Sequence, residues 1–199
     1  MHARQVPHVP QPAHGRPRRG GARGERPYVV PEGGSNGLGA LGYVEAAREV
    51  AALQLERFDG VVCAVGSGGT LAGLALGPDL GPVHGVAVCD DRATFAPRVE
   101  AIAGEALGYG VAPLGREGER WSVVEGYQGP AYAVATDEIW ATIARVARTE
   151  GLLLDPVYTG KAMHALLSEA RAGRWRGRWL FWHSGGAFGL FGRGSEVPR

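Results

Sequence analysis

The sequence predicts an α/β protein whose open, twisted, mostly parallel sheet carries helices on both faces. Two observations support this prediction. Strand-like and helix-like segments alternate along the chain, as they do in α/β layer folds. The strand-like segment 60–65 is apolar throughout, and 83–88 is apolar apart from His84, which is typical of strands buried on both faces. We find no internal repeat.

The composition is that of a globular protein. The chain has 199 residues, of which 45% are hydrophobic and 21% charged, and this excludes a wholly disordered or collagen-like chain. No apolar run approaches the roughly 18 residues that a membrane span needs, so we expect no membrane partner. Cys63 and Cys89 both lie in apolar, strand-like runs. They are expected to be free thiols of a reducing compartment, which favours a cytoplasmic location.

Residues 1–26 differ from the rest of the chain. Six arginines and one glutamate give this leader a net charge of +5, whereas residues 27–199 carry −4. Its prolines and glycines, with few large apolar residues, predict a disordered segment ahead of one partial α/β domain over 27–199. The Arg-Gly run at 18–24 resembles nucleic-acid-binding tails. We favour a solvated tail, or residues foreign to the folded protein, and expect no nucleic-acid partner.

The individual elements follow from periodicity, from capping residues and from glycine or proline stops. Ser35 or Asn36 can cap the first helix, and Thr136 can cap a later helix that Gly151 ends. In chain order we predict a short strand at 27–31, a helix to about Phe58, a strand at 60–65, a helix at 70–76, a strand at 83–88, a helix at 90–107, a helix from Thr136 to Gly151, a helix at 159–172 and a strand at 179–182.

Two glycine-rich turns are candidates for binding an anion. The first contains a G-x-G-x-x-G pattern at Gly37, Gly39 and Gly42. A dinucleotide site also needs an acidic residue at the end of the next strand, and that strand ends in Val65 and Gly66. The pattern moreover begins some way after its strand and is expected to lie within the helix. We therefore do not predict a dinucleotide site.

The second turn, 66–73, directly follows the buried strand at 60–65. Its glycines allow backbone N–H groups to point inward at a helix N-terminus, close to the hydroxyls of Ser67 and Thr70. This pattern predicts a site for a phosphate monoester. No lysine follows as in a Walker A loop, and the alternative is a tight turn that needs positive φ angles.

Four segments resemble one enzyme family: 27–43, 66–73, 150–162 and 181–186. The sequence is similar to the C-terminal portion of D-cysteine desulfhydrases and 1-aminocyclopropane-1-carboxylate deaminases, over about residues 27–193. The resemblance implies the tryptophan-synthase-β fold type, pyridoxal 5'-phosphate as cofactor, a small amino-acid substrate and a homodimer.

The resemblance also implies roles for particular residues. Tyr132 and Tyr158 would be the catalytic tyrosines facing the substrate, since a phenol can move a proton or orient a carboxylate. Thr159 would lie at the ring nitrogen of the cofactor, where the deaminase branch has glutamate, although it could also cap the next helix. The residues implied to bind the cofactor phosphate are Gly66, Ser67, Gly68, Gly69 and Thr70.

The threonine favours the desulfhydrase branch, because a hydroxyl beside a neutral ring nitrogen suffices to eliminate a good leaving group. The implied reaction is β-elimination from D-cysteine or a related amino acid, giving pyruvate, ammonia and sulfide. Two alternatives stay open: ring opening of the deaminase type, and a non-catalytic module that binds a phosphorylated ligand.

Other catalytic patterns are absent from the sequence. His183 and Ser184 are adjacent on a strand and point to opposite faces, so they do not form a nucleophile–base pair. His84 and His164 lack the spacing of zinc ligands, and no metal site is expected.

The lysine that forms the Schiff base in the family belongs to a Gly-Gly-Asn-Lys-like motif, which this sequence lacks. The single lysine, Lys161, belongs to the block at 150–162. The resemblance therefore implies a truncated form without that lysine, and we expect no stable Schiff base in this chain alone. Lys161 lies near a helix N-terminus, which disfavours a positive charge, so we expect an acidic partner or a ligand beside it.

Overall fold

The structure is a computed structural model that describes residues 29–53 and 56–193. Its centre is a parallel sheet of four strands in the order β3-β2-β1-β4. In this sheet Val61 lies opposite Val83 on one side and Leu180 on the other. The strands are β1 (Gly60–Val65), β2 (Val83–Ala87), β3 (Trp121–Val124) and β4 (Trp179–Phe181).

Helices cover both faces of this sheet, which confirms the predicted fold class. Three helices pack on one face, a fourth covers the other, and a fifth packs behind the fourth. They are α1 (Gly37–Leu53), α2 (Gly69–Leu76) and α3 (Arg92–Ala106) on the first face, α5 (Thr159–Arg171) on the second, α4 (Asp137–Glu150) behind α5, and the short α6 (Ala187–Phe191) near the end of the chain. Single 3-10 turns occur at Glu32–Gly34 and Leu107–Tyr109.

The alternation along β1 explains why the strand is apolar throughout. Val61, Cys63 and Val65 belong to the core shared with α1, α2 and α3, whereas Val62 packs with Ala162 of α5. Burial on both faces leaves no position where a polar side chain would reach water. Cys63 is fully buried, Cys89 is half-buried, and both thiols are free.

The predicted capping residues are largely confirmed. The side chain of Asn36 accepts from the N–H of Gly39 at 2.7 Å, and Thr136 accepts from the N–H of Ile139 at 3.4 Å. Gly151 ends α4 in the left-handed conformation, with φ at 66°. Ser35 is not the cap, because its hydroxyl contacts Ser67 instead.

The glycine pattern at 37–42 lies inside α1, as expected. Two of its glycines allow close packing. A Cβ on Gly37 would lie 2.6 Å from the backbone nitrogen of Ala106, and one on Gly39 would lie 2.0 Å from the carbonyl oxygen of Gly34.

Several predicted boundaries were wrong. Val29 and Val30 form no strand and are exposed, and the first helix ends before the bend at residue 56. Phe58 is instead buried in extended chain, where its N–H donates to the carbonyl of Leu80 at 2.8 Å. The strand β3 and the helix α6 were not predicted. The predicted disorder of 1–26 and the Arg-Gly run lie outside the described residues.

Within the described ranges, every helix is too short or too polar to cross a bilayer.

Candidate active site

The loop between β1 and α2 presents backbone N–H groups at the carboxyl end of the sheet. Gly68 adopts a left-handed conformation with φ at 99°, and the first hydrogen bond of α2 runs from the N–H of Ala72 to the carbonyl of Gly68 at 2.9 Å. Among the described residues, the N–H groups of Ser67, Gly68 and Thr70 have no acceptor. Free N–H groups at a helix N-terminus are suited to binding an anion.

The loop is narrow on two sides, which explains its glycines. A Cβ on Gly69 would lie 2.6 Å from the hydroxyl of Ser35, and one on Gly66 would lie 3.0 Å from Cε1 of Tyr158. Ser35 contacts the loop directly: its hydroxyl lies 2.7 Å from that of Ser67 and accepts from the N–H of Gly69 at 3.3 Å. The sequence analysis did not place Ser35 in the site.

The two tyrosines implied by the resemblance meet beside this loop. Their hydroxyl oxygens are 2.5 Å apart, and the ring of Tyr132 meets that of Tyr158 edge-on at 6.2 Å. Tyr158 is half-buried against Gly66, whereas Tyr132 is 55% exposed. Burial, and then the hydrogen bond with Tyr132, raise the pKa of Tyr158 well above its ordinary value. Tyr158 therefore remains a neutral phenol at physiological pH.

Asp155 organises the start of α5, a role that the sequence analysis missed. Its fully buried carboxylate accepts from three backbone N–H groups, those of Val157 at 2.7 Å, Tyr158 at 2.8 Å and Thr159 at 2.8 Å. It also accepts from the hydroxyl of Thr159 at 2.6 Å. A carboxylate at a helix N-terminus stabilises the helix through these bonds and through the helix dipole.

Thr159 begins α5 but its side chain does not cap it, so the capping alternative was wrong. The N–H groups that a cap would satisfy are bound by Asp155. The Thr159 hydroxyl donates to the carboxylate of Asp155 and accepts from the N–H of Asp155 at 3.0 Å. The placement of this hydroxyl at a cofactor ring nitrogen stays a prediction.

Lys161 is fully buried and contacts two backbone carbonyls. Its ammonium donates to the carbonyl of Val88 at 2.9 Å and to that of Ala131 at 3.2 Å. Burial lowers the pKa of Lys161 to about 8, despite the opposing influence of Cys89 and, after it, Asp155. Its direct partners among the described residues are carbonyl oxygens, and the expected carboxylate is not among them.

The histidines considered above have other partners. The imidazole of His183 contacts the carbonyl of Leu153 at 3.0 Å and the N–H of Gly185 at 3.2 Å. Nδ1 of His84 lies 2.8 Å from the hydroxyl of Ser122, and Nδ1 of His164 lies 3.0 Å from that of Thr142.

Comparison with known proteins identifies the family to which this arrangement belongs. The sequence profile of the pyridoxal-phosphate dependent enzyme family matches residues 14–185. The chain belongs to this family. The match begins at residue 14, inside the leader, whereas the resemblance found in the sequence begins at residue 27.

The relatives agree with the branch that the sequence resembles. The chain is 44% identical to the D-cysteine desulfhydrase of Yersinia enterocolitica, over 88% of this chain and 55% of that protein. It is 41% identical to the bifunctional D-cysteine desulfhydrase/1-aminocyclopropane-1-carboxylate deaminase of Arabidopsis thaliana, a mitochondrial protein, over 87% of this chain and 45% of that one. The chain spans about half the length of the curated relatives it matches.

A solved structure supports the fold assignment. The crystal structure of an ACC deaminase homologue superposes with a TM-score of 0.78 at 37% identity, covering 87% of this chain and 54% of that one. The fold of this pyridoxal-phosphate dependent family is therefore present in the described residues.

The residues of the β1–α2 loop fit the phosphate of pyridoxal phosphate. The free N–H groups of Ser67, Gly68 and Thr70 provide the donors that a phosphate dianion needs, and two hydroxyls lie in the same loop. A Cβ on Gly69 would force Ser35 to shift, and one on Gly66 would press against the ring of Tyr158, so glycine suits both positions of the loop.

Proposed function

We propose that the chain holds pyridoxal phosphate at the β1–α2 loop and presents two tyrosines to a D-cysteine-like substrate for β-elimination. The observation that carries this proposal is the convergence of the phosphate-binding loop and the Tyr132–Tyr158 pair at one edge of the sheet. In open α/β sheets, ligands bind beyond the carboxyl ends of the strands. The named activities of the relatives supply the reaction class.

The loop would anchor the cofactor through its phosphate. The N–H groups of Ser67, Gly68 and Thr70 would donate to the phosphate oxygens, and the hydroxyls of Ser67 and Thr70 could add further donors. When bound, the cofactor withdraws electrons from the α-carbon of the substrate and so eases bond breaking at that carbon and its neighbour.

The tyrosine pair would handle a proton or orient the substrate carboxylate. Because its pKa is raised, the phenol of Tyr158 keeps its proton at neutral pH and acts as a donor rather than a base. Tyr132, with its ring half in solvent, shares that hydrogen bond and lies on the side from which a small substrate can approach.

Thr159 supports elimination over ring opening. The resemblance aligns Thr159 with the carboxylate of the deaminase branch. The Thr159 hydroxyl donates its one proton to Asp155 in this structure, so it would have to turn away from Asp155 to donate to a neutral ring nitrogen. A less electron-withdrawing ring suffices when the leaving group is a thiol. In the elimination, D-cysteine would give its α-proton to the family's Schiff-base lysine, which a partner segment has to provide, and would release its sulfur as sulfide; water then releases ammonia and pyruvate. Ring opening is the second candidate, because the Arabidopsis relative carries both names.

The proposal extends to the setting of the enzyme. We propose a cytoplasmic location, supported by the two free thiols. We propose a homodimer and a small amino-acid substrate from the family relation alone.

Pyridoxal phosphate is expected to bind this chain without a covalent bond, since its single lysine is buried and donates to two carbonyls. Gly68→Ala should weaken binding about tenfold or more, because a side chain at φ 99° is strained by roughly 1–3 kcal/mol and displaces the loop N–H groups. Equilibrium dialysis measures the affinity, with inorganic phosphate as competitor. Gly104→Ala is the control, since its Cβ would meet no atom within 4 Å.

Borohydride reduction followed by peptide mapping checks the covalent part of that expectation. A label on Lys161 would contradict it. Equal affinities for the wild type and Gly68→Ala, or no competition by inorganic phosphate, would remove the phosphate site from the β1–α2 loop.

The reaction is tested in a chimera in which residues 14–185 replace the aligned segment of the Yersinia enterocolitica desulfhydrase. We expect sulfide and pyruvate from D-cysteine, and a loss of kcat of about a hundredfold on Tyr158→Phe. Tyr109→Phe, at an exposed tyrosine of the Leu107–Tyr109 turn, is the matched control and should keep full activity.

Two outcomes of that experiment decide between the candidate functions, and a third tests the role of Tyr158. A chimera with the cofactor's visible absorption that releases ammonia from 1-aminocyclopropane-1-carboxylate but no sulfide favours ring opening. A chimera that binds the cofactor and turns over neither substrate favours a binding module. Full activity in Tyr158→Phe would remove the proton-transfer role from Tyr158.

A further inference from the structure

The turn that carries Tyr132 is short and strained. The N–H of Val134 donates to the carbonyl of Ala131 at 3.1 Å, and the two residues form an isolated antiparallel bridge. Between them, Ala133 has a φ of 58°, the one positive φ of a non-glycine residue in the described ranges. Such a backbone conformation costs of order 1–3 kcal/mol and persists only where surrounding contacts impose it.

Lys161 supplies a contact that reaches this turn from the interior. Its ammonium binds the carbonyl of Ala131, the first residue of the turn, and its Cε lies 3.9 Å from the position of a Cβ on Gly129. The second acceptor, the carbonyl of Val88, directly follows β2, and the N–H of Val88 donates to the carbonyl of Val65 at 3.1 Å. Val65 is the last residue of β1 before the phosphate-binding loop.

We propose that Lys161 is a positioning residue that joins the carboxyl edge of the sheet to the Ala131–Val134 turn and thereby holds Tyr132 against Tyr158. Tyr132 is more than half exposed, and its polar and ring contacts with the described residues are those with Tyr158. Its place therefore depends on the backbone on either side of it. That the positioned tyrosine faces substrate rests on the proposed function, whereas the positioning itself does not.

The Ala131–Val134 turn belongs to the loop between β3 and α4. A second side chain of α5 contacts this loop at a different point and provides a matched control. The hydroxyl of Tyr127 donates to the carboxylate of Glu169, eight residues beyond Lys161 on α5. This bond fixes the beginning of the loop and does not contact the turn. Tyr127→Phe removes one anchor of the loop and should leave the tyrosine pair in place.

The test compares Lys161→Met with Tyr127→Phe, without cofactor or substrate, so its result is independent of the proposed function. With ¹³Cζ-labelled tyrosine, the Tyr158 resonance in Lys161→Met should move to the position it has in Tyr132→Phe, where the hydrogen bond is missing. Amide exchange of residues 126–135 should become about tenfold faster or more, while the protection of α1 and β1 is retained. In Tyr127→Phe the Tyr158 resonance should stay in place.

An unmoved Tyr158 resonance in a folded Lys161→Met protein would overturn the proposal. If the methionine variant does not fold, Lys161→Leu, which likewise removes both hydrogen bonds, is judged by the same two outcomes. The wild type offers an independent check, because Lys161 is the single lysine and selective labelling gives one lysine signal. Absence of a nuclear Overhauser contact between its Hε protons and Gly129 would also overturn the proposal.

Discussion

Replacing Asp155 with alanine is expected to lower the free energy of unfolding by about 3–5 kcal/mol, the range found when one partner of a buried charged network is removed. Three backbone N–H groups and the hydroxyl of Thr159 would lose their acceptor in a place that water does not reach. Each unsatisfied buried donor costs about 1–3 kcal/mol before the structure relaxes. Urea unfolding followed by circular dichroism measures the loss.

Two other variants separate this effect from ordinary helix capping. Asp91→Ala removes an exposed cap of α3, whose carboxylate accepts from the N–H of Thr94 at 2.8 Å, and should cost about 1 kcal/mol. Asp155→Asn keeps one acceptor oxygen and should lie between the two alanine variants. If Asp155→Ala costs no more than Asp91→Ala, the buried network is not the main support of the start of α5.

The fold could be predicted where burial leaves a local pattern in the sequence. The strand β1 is apolar over its whole length, and β2 is apolar apart from the half-buried His84, because helices cover both faces of the sheet. This pattern is visible in the sequence alone. The strand β3 was missed because Ser122 interrupts its apolar run, and the alternation that remains covers only four residues. The apolar pair Val29 and Val30 predicted a strand, but both side chains are exposed in the structure.

The site could be predicted only where its residues are contiguous in the sequence. The phosphate-binding loop is continuous in sequence, so its glycines after a buried strand indicated an anion site. Tyr132 and Tyr158 are 26 residues apart and were implied only by the family resemblance. Ser35 accepts from a backbone N–H of the β1–α2 loop, and Asp155 accepts from backbone N–H groups at the start of α5. Residue types alone indicate neither contact, because every residue except proline has a backbone N–H.

Lys161 shows the limit of arguments from charge. A lysine close to a helix N-terminus suggested a carboxylate beside it, but its acceptors are backbone carbonyls 30 and 73 residues away. Every residue has a carbonyl, so no residue type identifies these acceptors. The buried ammonium does, however, have a measurable consequence for stability.

The stability of the wild type relative to Lys161→Met is expected to rise by about 3 kcal/mol between pH 7.5 and pH 10.5. Burial lowers the pKa of Lys161 from 10.5 to about 8 in the folded state, whereas the unfolded chain keeps the ordinary value. Between pH 8 and pH 10.5, the two pKa values of Lys161, the unfolded state binds more protons than the folded state. The free energy of unfolding therefore increases with pH over this range. The gain is ~1.4 kcal/mol for each pH unit across the window.

The free energy of unfolding is compared with that of Lys161→Met because other groups also titrate between pH 7.5 and pH 10.5. Burial raises the pKa of Cys63 from 9.0 to about 12, so the folded state holds that proton longer and stability falls as pH rises above 9. This contribution is common to both proteins and cancels in the difference. Below about pH 7, Lys161 is charged in both states and the difference should be independent of pH.

The same titration can be observed directly, since the chain has one lysine. The ¹³Cε resonance of labelled Lys161 should titrate with a midpoint near 8 in the folded protein and near 10.5 in urea. A folded-state midpoint near 10.5, together with a flat stability difference, would mean that water reaches the ammonium. The two carbonyl bonds would then not hold Lys161 in the interior, and the link between the sheet edge and the Tyr132 turn would be lost with them.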